Sequence, residues 1–154
     1  MVDFNEKAWL VALIGGILAL VAIITPFSWG IFPEGFIGWW MLGFVITTTD
    51  GFEIGFTSNI EIIIGGVIFT IILLVFGILI IIASIRARSS FKKSNVYIWI
   101  ISGIILLFFT TVVITVILVL ADYFIVGYMI GPALIIPYIG AILALLPGII
   151  QLRK

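Results

Sequence analysis

Few side chains in this sequence could do chemistry. It contains no cysteine and no histidine, which removes disulfides, thiolate nucleophiles, the usual zinc ligands and the commonest general base. Four carboxylates, of Glu34, Asp50, Glu53 and Glu61, have the oxygen ligands that a hard cation such as calcium prefers. Their spacing fits no known calcium loop. We therefore interpret them as solvated surface acids, and we expect no enzyme activity, no cofactor and no metal site.

Hydroxyl groups are the other candidates, and five lie inside long apolar runs: Thr70, Ser102, Thr110, Thr111 and Thr115. Thr111 and Thr115 share one face of a helix, and each can return its hydrogen bond to a carbonyl one turn back. We expect satisfied structural hydroxyls rather than a proton or ion pathway. Such pathways usually need buried ionisable groups.

The elements around these side chains follow from composition. Of the 154 residues, 64% are apolar and only 9% are charged, whereas a soluble domain carries about 25% charged residues. Such a chain cannot cover its surface in water but can face lipid, so the bilayer is its first expected partner. The net charge of zero argues against a nucleic-acid partner.

Four runs are long and apolar enough to cross a bilayer as helices. They cover residues 8–25, 62–85, 96–120 and 132–150. The fold class predicted is an all-α membrane protein, a single four-helix transmembrane domain over residues 1–154. The fourth run carries Pro132, Pro137 and Pro147, which predict a bend.

The positive charges predict the orientation. Four spans place all seven basic residues on one side: Lys7, Arg86, Arg88, Lys92, Lys93, Arg153 and Lys154. The other side carries only acidic charge. The positive-inside rule puts both termini and the loop 86–95 in the cytoplasm. Outer loops then cover residues 26–59 and 121–131, in a protein of the plasma membrane.

Small residues predict how the helices pack, because close backbone approach drives association in lipid. The candidate packing positions are Ala12, Gly15, Ala19, Gly66, Gly77, Ala141 and Ala144. They fit packing within one bundle. The alternative is that one such stripe is a docking face for another membrane protein.

Any specificity is expected in the first outer loop, where the candidate interaction residues are Trp29, Trp39, Trp40 and Phe44. The aromatic rings suit either an interfacial belt or a recognition surface. The strand-like stretch 44–48, the Asp50-Gly51 pair and the stretch 52–57 predict a small antiparallel hairpin or sheet. The short second outer loop could pack against it.

This layout resembles the claudin-like tetraspan superfamily, which includes the claudins and the peripheral myelin protein group. Trp29 matches the Trp that claudins carry early in their first loop, and Gly38-Trp39-Trp40 is similar to their Gly-Leu-Trp element. The Leu and the two loop cysteines of that pattern are absent. The resemblance implies a left-handed four-helix bundle capped by a small outer β-sheet, lateral assembly, and a role in cell contact or membrane organisation.

The function expected is a non-enzymatic membrane organiser that acts through lateral or cell-surface protein contacts. Its expected partners are further copies of the chain or other membrane proteins. The alternative is a small accessory subunit of a larger transporter or respiratory complex. A channel or transporter is less favoured, since nothing ionisable lies deep in the spans.

Overall fold

The computed structural model describes residues 4–32, 35–48, 51–58, 60–90, 92–121 and 128–153. Its four long helices are α1 (Phe4–Val21), α2 (Ile60–Ser89), α3 (Lys93–Ala121) and α4 (Pro132–Leu152). A 3-10 turn, Ala22–Ile24, extends α1. Each long helix contains a stretch long and apolar enough to cross a membrane. This confirms the prediction of four such helices and fits a multi-pass membrane protein.

The turn between α2 and α3 is shorter than the loop 86–95 predicted from the sequence. Helix α2 continues through Arg86 and Arg88, and α3 begins at Lys93. Helical structure can continue beyond an apolar run because its hydrogen bonds are internal. Positive charge in the last turn of α2 also complements the negative end of its dipole.

The helices form a closed ring in which α1 packs against α2 and α4, and α3 packs against the same two helices. The largest fully buried apolar side chains of the bundle are Leu73, Ile80, Trp99, Leu106 and Leu134. The outward faces expose many isoleucines, such as Ile68, Ile71 and Ile78 on α2. A bundle with this distribution is suited to apolar surroundings on its outside.

The contact between α1 and α4 brings two backbones together. A Cβ atom on Gly140 would lie 2.6 Å from the carbonyl oxygen of Gly15, and one on Gly15 would overlap the carbonyl oxygen of Gly140. The small residues beside this contact are fully buried: Ala12, Ala19, Ala141 and Ala144. The structure therefore places these predicted packing residues inside the bundle.

The two glycines singled out on α2 have different neighbours. A Cβ on Gly77 would lie 2.9 Å from the Leu20 side chain of α1. Gly66 instead faces the backbone of Met41, which lies outside the helices, and a Cβ there would overlap the Met41 carbonyl. Gly66 thus allows a loop, rather than another helix, to pack closely against α2.

Helix α4 runs without a break through Pro137 and Pro147, both of which are buried. Pro132 occupies the start of the helix, where its missing N–H costs no intrahelical bond.

One buried polar contact joins α2 to α3. The Ser84 hydroxyl donates to the Ile80 carbonyl at 2.7 Å, and the Trp99 indole Nε1–H donates to Ser84 Oγ at 3.1 Å. Neither Ser84 nor Trp99 is exposed to any extent. Sequence reasoning did not foresee this pair, because the two residues are 15 positions apart.

The prediction of satisfied hydroxyls is confirmed for Thr111 and Thr115, which donate to carbonyls one turn back at 2.8 and 2.9 Å. It is wrong for Thr70 and Thr110, whose buried hydroxyls have no hydrogen-bond partner among the described residues.

Both long connections at one end of the bundle contribute to a five-stranded antiparallel sheet. Its strands are β1 (Pro26–Phe32), β2 (Gly35–Trp40), β3 (Phe44–Thr47), β4 (Glu53–Phe56) and β5 (Tyr128–Ile130). Their order is β4-β3-β2-β1-β5. The predicted hairpin is β3–β4. The sheet is larger than that hairpin, and the expected packing of the second connection on the first is confirmed by β5 pairing with β1.

The sheet is tied to the bundle at the ends of its strands. The Trp40 indole N–H donates to the Ile24 carbonyl at 3.1 Å. A Cβ on Gly43 would lie 2.7 Å from Ile63 of α2, and one on Gly131 would lie 2.6 Å from the Phe27 carbonyl carbon. We call this the sheet end of the bundle, and the end that carries the α2–α3 turn the basic end.

Changing Gly140 to Ala tests the α1–α4 contact. The added methyl group would meet the Gly15 carbonyl, so we expect the free energy of unfolding to fall by about 1–3 kcal/mol. Unfolding in mixed detergent micelles measures this. Gly65→Ala is the matched control, because nothing lies within 4 Å of its Cβ position and alanine favours a helix. Equal losses in the two variants would contradict the backbone contact.

A double-mutant cycle of Ser84→Ala and Trp99→Phe tests the buried polar contact. Each single variant leaves one partner buried without its bond. We expect a coupling energy of about 0.6–1.7 kcal/mol in the same unfolding measurement. Strictly additive effects would show that the bond contributes nothing to stability.

Candidate interaction surface

The sheet separates the predicted interaction residues between its two faces. The pairings Trp29↔Gly38 and Trp39↔Val45 place Trp29, Trp40 and Phe44 on one face and Trp39 on the other. The same alternation extends the first face across all four strands of the first connection. This apolar sheet face consists of Trp29, Ile31, Phe36, Trp40, Phe44, Ile46, Ile54 and Phe56.

Aromatic contacts run across this face. The rings of Trp40 and Phe44 stack with centroids 4.7 Å apart and planes 12° apart. The rings of Trp29 and Phe36 lie 6.3 Å apart at 38°. Stacked and tilted pairs at these distances are favourable for aromatic quadrupoles. These rings come from β1, β2 and β3, so the two contacts lie at the centre of the sheet.

The lack of a side chain at Gly38 leaves room for the rings of Phe36 and Trp40. A Cβ there would lie 2.9 Å from the Phe36 ring and 3.0 Å from the Trp40 ring. The glycine of the Gly38-Trp39-Trp40 element therefore allows two aromatic side chains of the same strand to approach each other over the backbone.

The outermost strand, β4, is exposed at all four positions. Its apolar side chains are among the most exposed in the described structure, with Ile54 at 63% and Phe56 at 78%. Ile31 on β1 is 70% exposed, and Phe52, just before β4, is 72% exposed. Apolar groups exposed together in this way mark an interaction surface.

The free edge of β4 offers backbone hydrogen-bonding groups. The Thr57 N–H donates to the Gly43 carbonyl at 2.8 Å, so in an antiparallel ladder the pairs Val45↔Gly55 and Thr47↔Glu53 are also hydrogen-bonded. The N–H and C=O groups of Ile54 and Phe56 then point away from β3. Among the described residues, no strand pairs with this edge.

Gly55 lies at the centre of that edge, and nothing within the described chain requires a glycine there. No atom lies within 4 Å of its Cβ position, and it is not one of the glycines with positive φ. Glycine weakens a strand interior, and it commonly marks a site where another backbone approaches closely.

The acidic residues do not form a metal site in the described part of the chain. Glu53 lies exposed on β4, and Glu61 lies in the first turn of α2. An open depression of about 360 Å³ beside β3 and β4 has Glu53 as its one carboxylate. Glu34, Asp50 and Asp122 lie outside the described residues.

The predicted orientation charges surround the α2–α3 turn. Arg86 and Arg88 lie in the last turn of α2, and Lys93 begins α3 directly after Lys92. The Arg88 guanidinium lies 5.3 Å from the ring centroid of Trp9 on α1, within cation–π range.

Ile31, Ile54, Gly55 and Phe56 are the surface residues that sequence reasoning did not single out. The alternation of residues 53–56 predicted a strand, but it could not show that this strand lies at the edge of the sheet. Neither a scan against known protein-family models nor a search of curated proteins returned a match to the sequence. A function for the chain must therefore be inferred from the geometry of this surface.

Proposed function

We propose that this chain is a non-enzymatic, claudin-like membrane organiser that acts through contacts between its own copies. The observation that carries the proposal is the open, apolar β4 edge with an unhindered glycine at its centre. The helix bundle crosses the plasma membrane, with both termini in the cytoplasm and the sheet outside the cell. The all-basic turn at one end of the bundle and the acidic sheet end support that orientation.

Two β4 edges are complementary to each other. An antiparallel pair centred on Gly55 sets Ile54 opposite Phe56 of the second copy, so the outward N–H and C=O groups of both residues are paired. Gly55 then faces its own equivalent at the closest point of the two backbones. Such a contact uses the same patch twice, as symmetric dimers do.

Charge and polarity permit the same register. Glu53 lies opposite Thr57 rather than opposite its own copy, which avoids a repulsive carboxylate pair. Edge strands that avoid association are very short or carry charged side chains, proline or a bulge. The described β4 is four residues long and carries one charge, Glu53, but it has no lysine, no proline and no bulge.

The exposed side chains of the apolar sheet face lie at different levels along the strands. Trp40 and Phe44 lie where the sheet meets the bundle, which suits a belt. Ile31 lies five residues along β1 from Pro26, about 17 Å further along the strand. Phe56 pairs with Phe44 and therefore lies level with these two rings, whereas Ile31 lies further along the sheet.

The architecture supports the claudin-like character of the proposal. Four helices carry a small sheet at one end, and both connections at that end contribute strands. The resemblance of the loop residues implies the same arrangement.

An accessory subunit is the alternative function. Its sequence argument was that the Gly15 and Ala19 stripe docks a partner, but this stripe is covered by α4 within the bundle. A partner would have to use another helix face, and the exposed isoleucines of those faces are equally suited to lipid.

A Gly55→Cys variant tests the proposed contact directly. The chain has no cysteine, so the variant cannot form a disulfide within one copy, and a covalent product of twice the chain mass joins two copies. Facing residues at this kind of position lie about 4.5 Å apart between Cα atoms, which a disulfide accommodates. We expect most of the protein in native membranes to run as a covalent dimer after mild oxidation on a non-reducing gel.

Ser58→Cys is the matched control, because this exposed residue lies near β4 but outside the proposed register. Adding Ile54→Pro to Gly55→Cys removes an outward donor without removing a bond to β3, and it should suppress the dimer. Equal cross-linking in all three variants, or none in Gly55→Cys, would contradict pairing through β4.

A further inference from the structure

The basic end of the bundle contains a second feature, a cleft of about 310 Å³ at the α2–α3 turn. It is lined by Arg86, Ser89, Ser90, Lys92, Ser94 and Asn95. The proposed contact between β4 strands lies at the other end of the molecule.

Hydrogen bonds within the turn hold the cleft in shape. Asn95 is only 4% exposed, and its side-chain Nδ2 donates to the Ser90 carbonyl at 3.4 Å. The Ser90 N–H donates to the Arg86 carbonyl at 2.9 Å, and the Asn95 N–H donates to the Lys92 carbonyl at 3.0 Å. The floor of the cleft is therefore fixed, while the Arg86 and Lys92 side chains remain exposed around it.

The lining chemistry selects a phosphate. It combines a guanidinium and an ammonium with the hydroxyls of Ser90 and Ser94 above the first turn of α3. The third hydroxyl of the lining, that of Ser89, donates to the Arg86 carbonyl at 3.1 Å. Arginine binds phosphate oxygens with two parallel bonds, and serine hydroxyls donate further ones. No acidic residue occurs between positions 62 and 121. The one acid of α2, Glu61, lies in its first turn at the opposite end, and α1 carries Glu6 in its own first turn.

Neighbouring aromatic residues mark the level of the cleft. Tyr97, just beyond it on α3, is 51% exposed, and Trp9 lies beneath Arg88. Such rings prefer the depth of lipid headgroups. A basic cleft between helices at that depth is suited to an anionic headgroup.

We propose that this cleft binds the phosphomonoester headgroup of an anionic phospholipid. A phosphomonoester carries nearly two negative charges at neutral pH, which matches the two cations that line the cleft. The inference is independent of the proposed contact between β4 strands.

Native mass spectrometry of the full chain tests this, with phosphatidic acid and phosphatidylcholine added to the detergent-solubilised protein. We expect wild type to retain phosphatidic acid selectively. The variant R86Q/K92Q should bind it about tenfold more weakly, whereas R88Q/K93Q should lose less than about threefold. The control variant removes the same charge from the same turn but leaves the cleft lining intact.

Three results would overturn the proposal. Equal losses in the two double variants would show general attraction to a basic turn rather than a site. Equal retention of the two lipids by wild type would show that the cleft does not select a phosphomonoester headgroup. Displacement of phosphatidic acid by an equal concentration of inorganic phosphate would show that the cleft takes a free anion instead of a lipid.

Discussion

Close backbone contact between α1 and α4 is the constraint on which the rest of the structure depends. Where no water is present, a helix satisfies its own peptide groups, and helices gain little by hiding apolar side chains from each other. Association then requires backbones to approach, as Gly15 and Gly140 do. This contact closes the ring of four helices, whose outward faces expose many isoleucine side chains.

Closure of the ring also builds the sheet. It brings the start of α4 beside the end of α1, so that β5 pairs with β1 although about 100 residues separate them in the sequence. Gly66 and Gly131 let the connecting backbones lie directly against the bundle and against β1. Aromatic rings then pack around Gly38 in a sheet that has no disulfide. Among the described strands, β4 and β5 each pair with one neighbour, and the proposed function uses the exposed, apolar edge of β4.

The four helices could be predicted because charge and hydropathy act locally, and each apolar run is uninterrupted. The β3–β4 hairpin was also predictable, since Asp50-Gly51 separates two strand-like stretches. Strands β1 and β2 were not, because Gly30 and Gly38 interrupt their alternation and the pairing partners are distant in sequence. The same limit applies to Trp99, whose partner Ser84 lies on another helix, and to Gly55. The role of Gly55 depends on its position at the edge of the sheet, which cannot be read from a single sequence.

The central claim is that the bundle crosses a bilayer with its sheet end and its basic end on opposite sides. Because the chain has no cysteine, a membrane-impermeant maleimide can report each end separately in intact cells. The account predicts that Ser58→Cys, at the sheet end, is labelled from outside. It also predicts that Ser90→Cys, at the basic end, is labelled only after the membrane is permeabilised. Labelling of both positions from the same side would contradict the account.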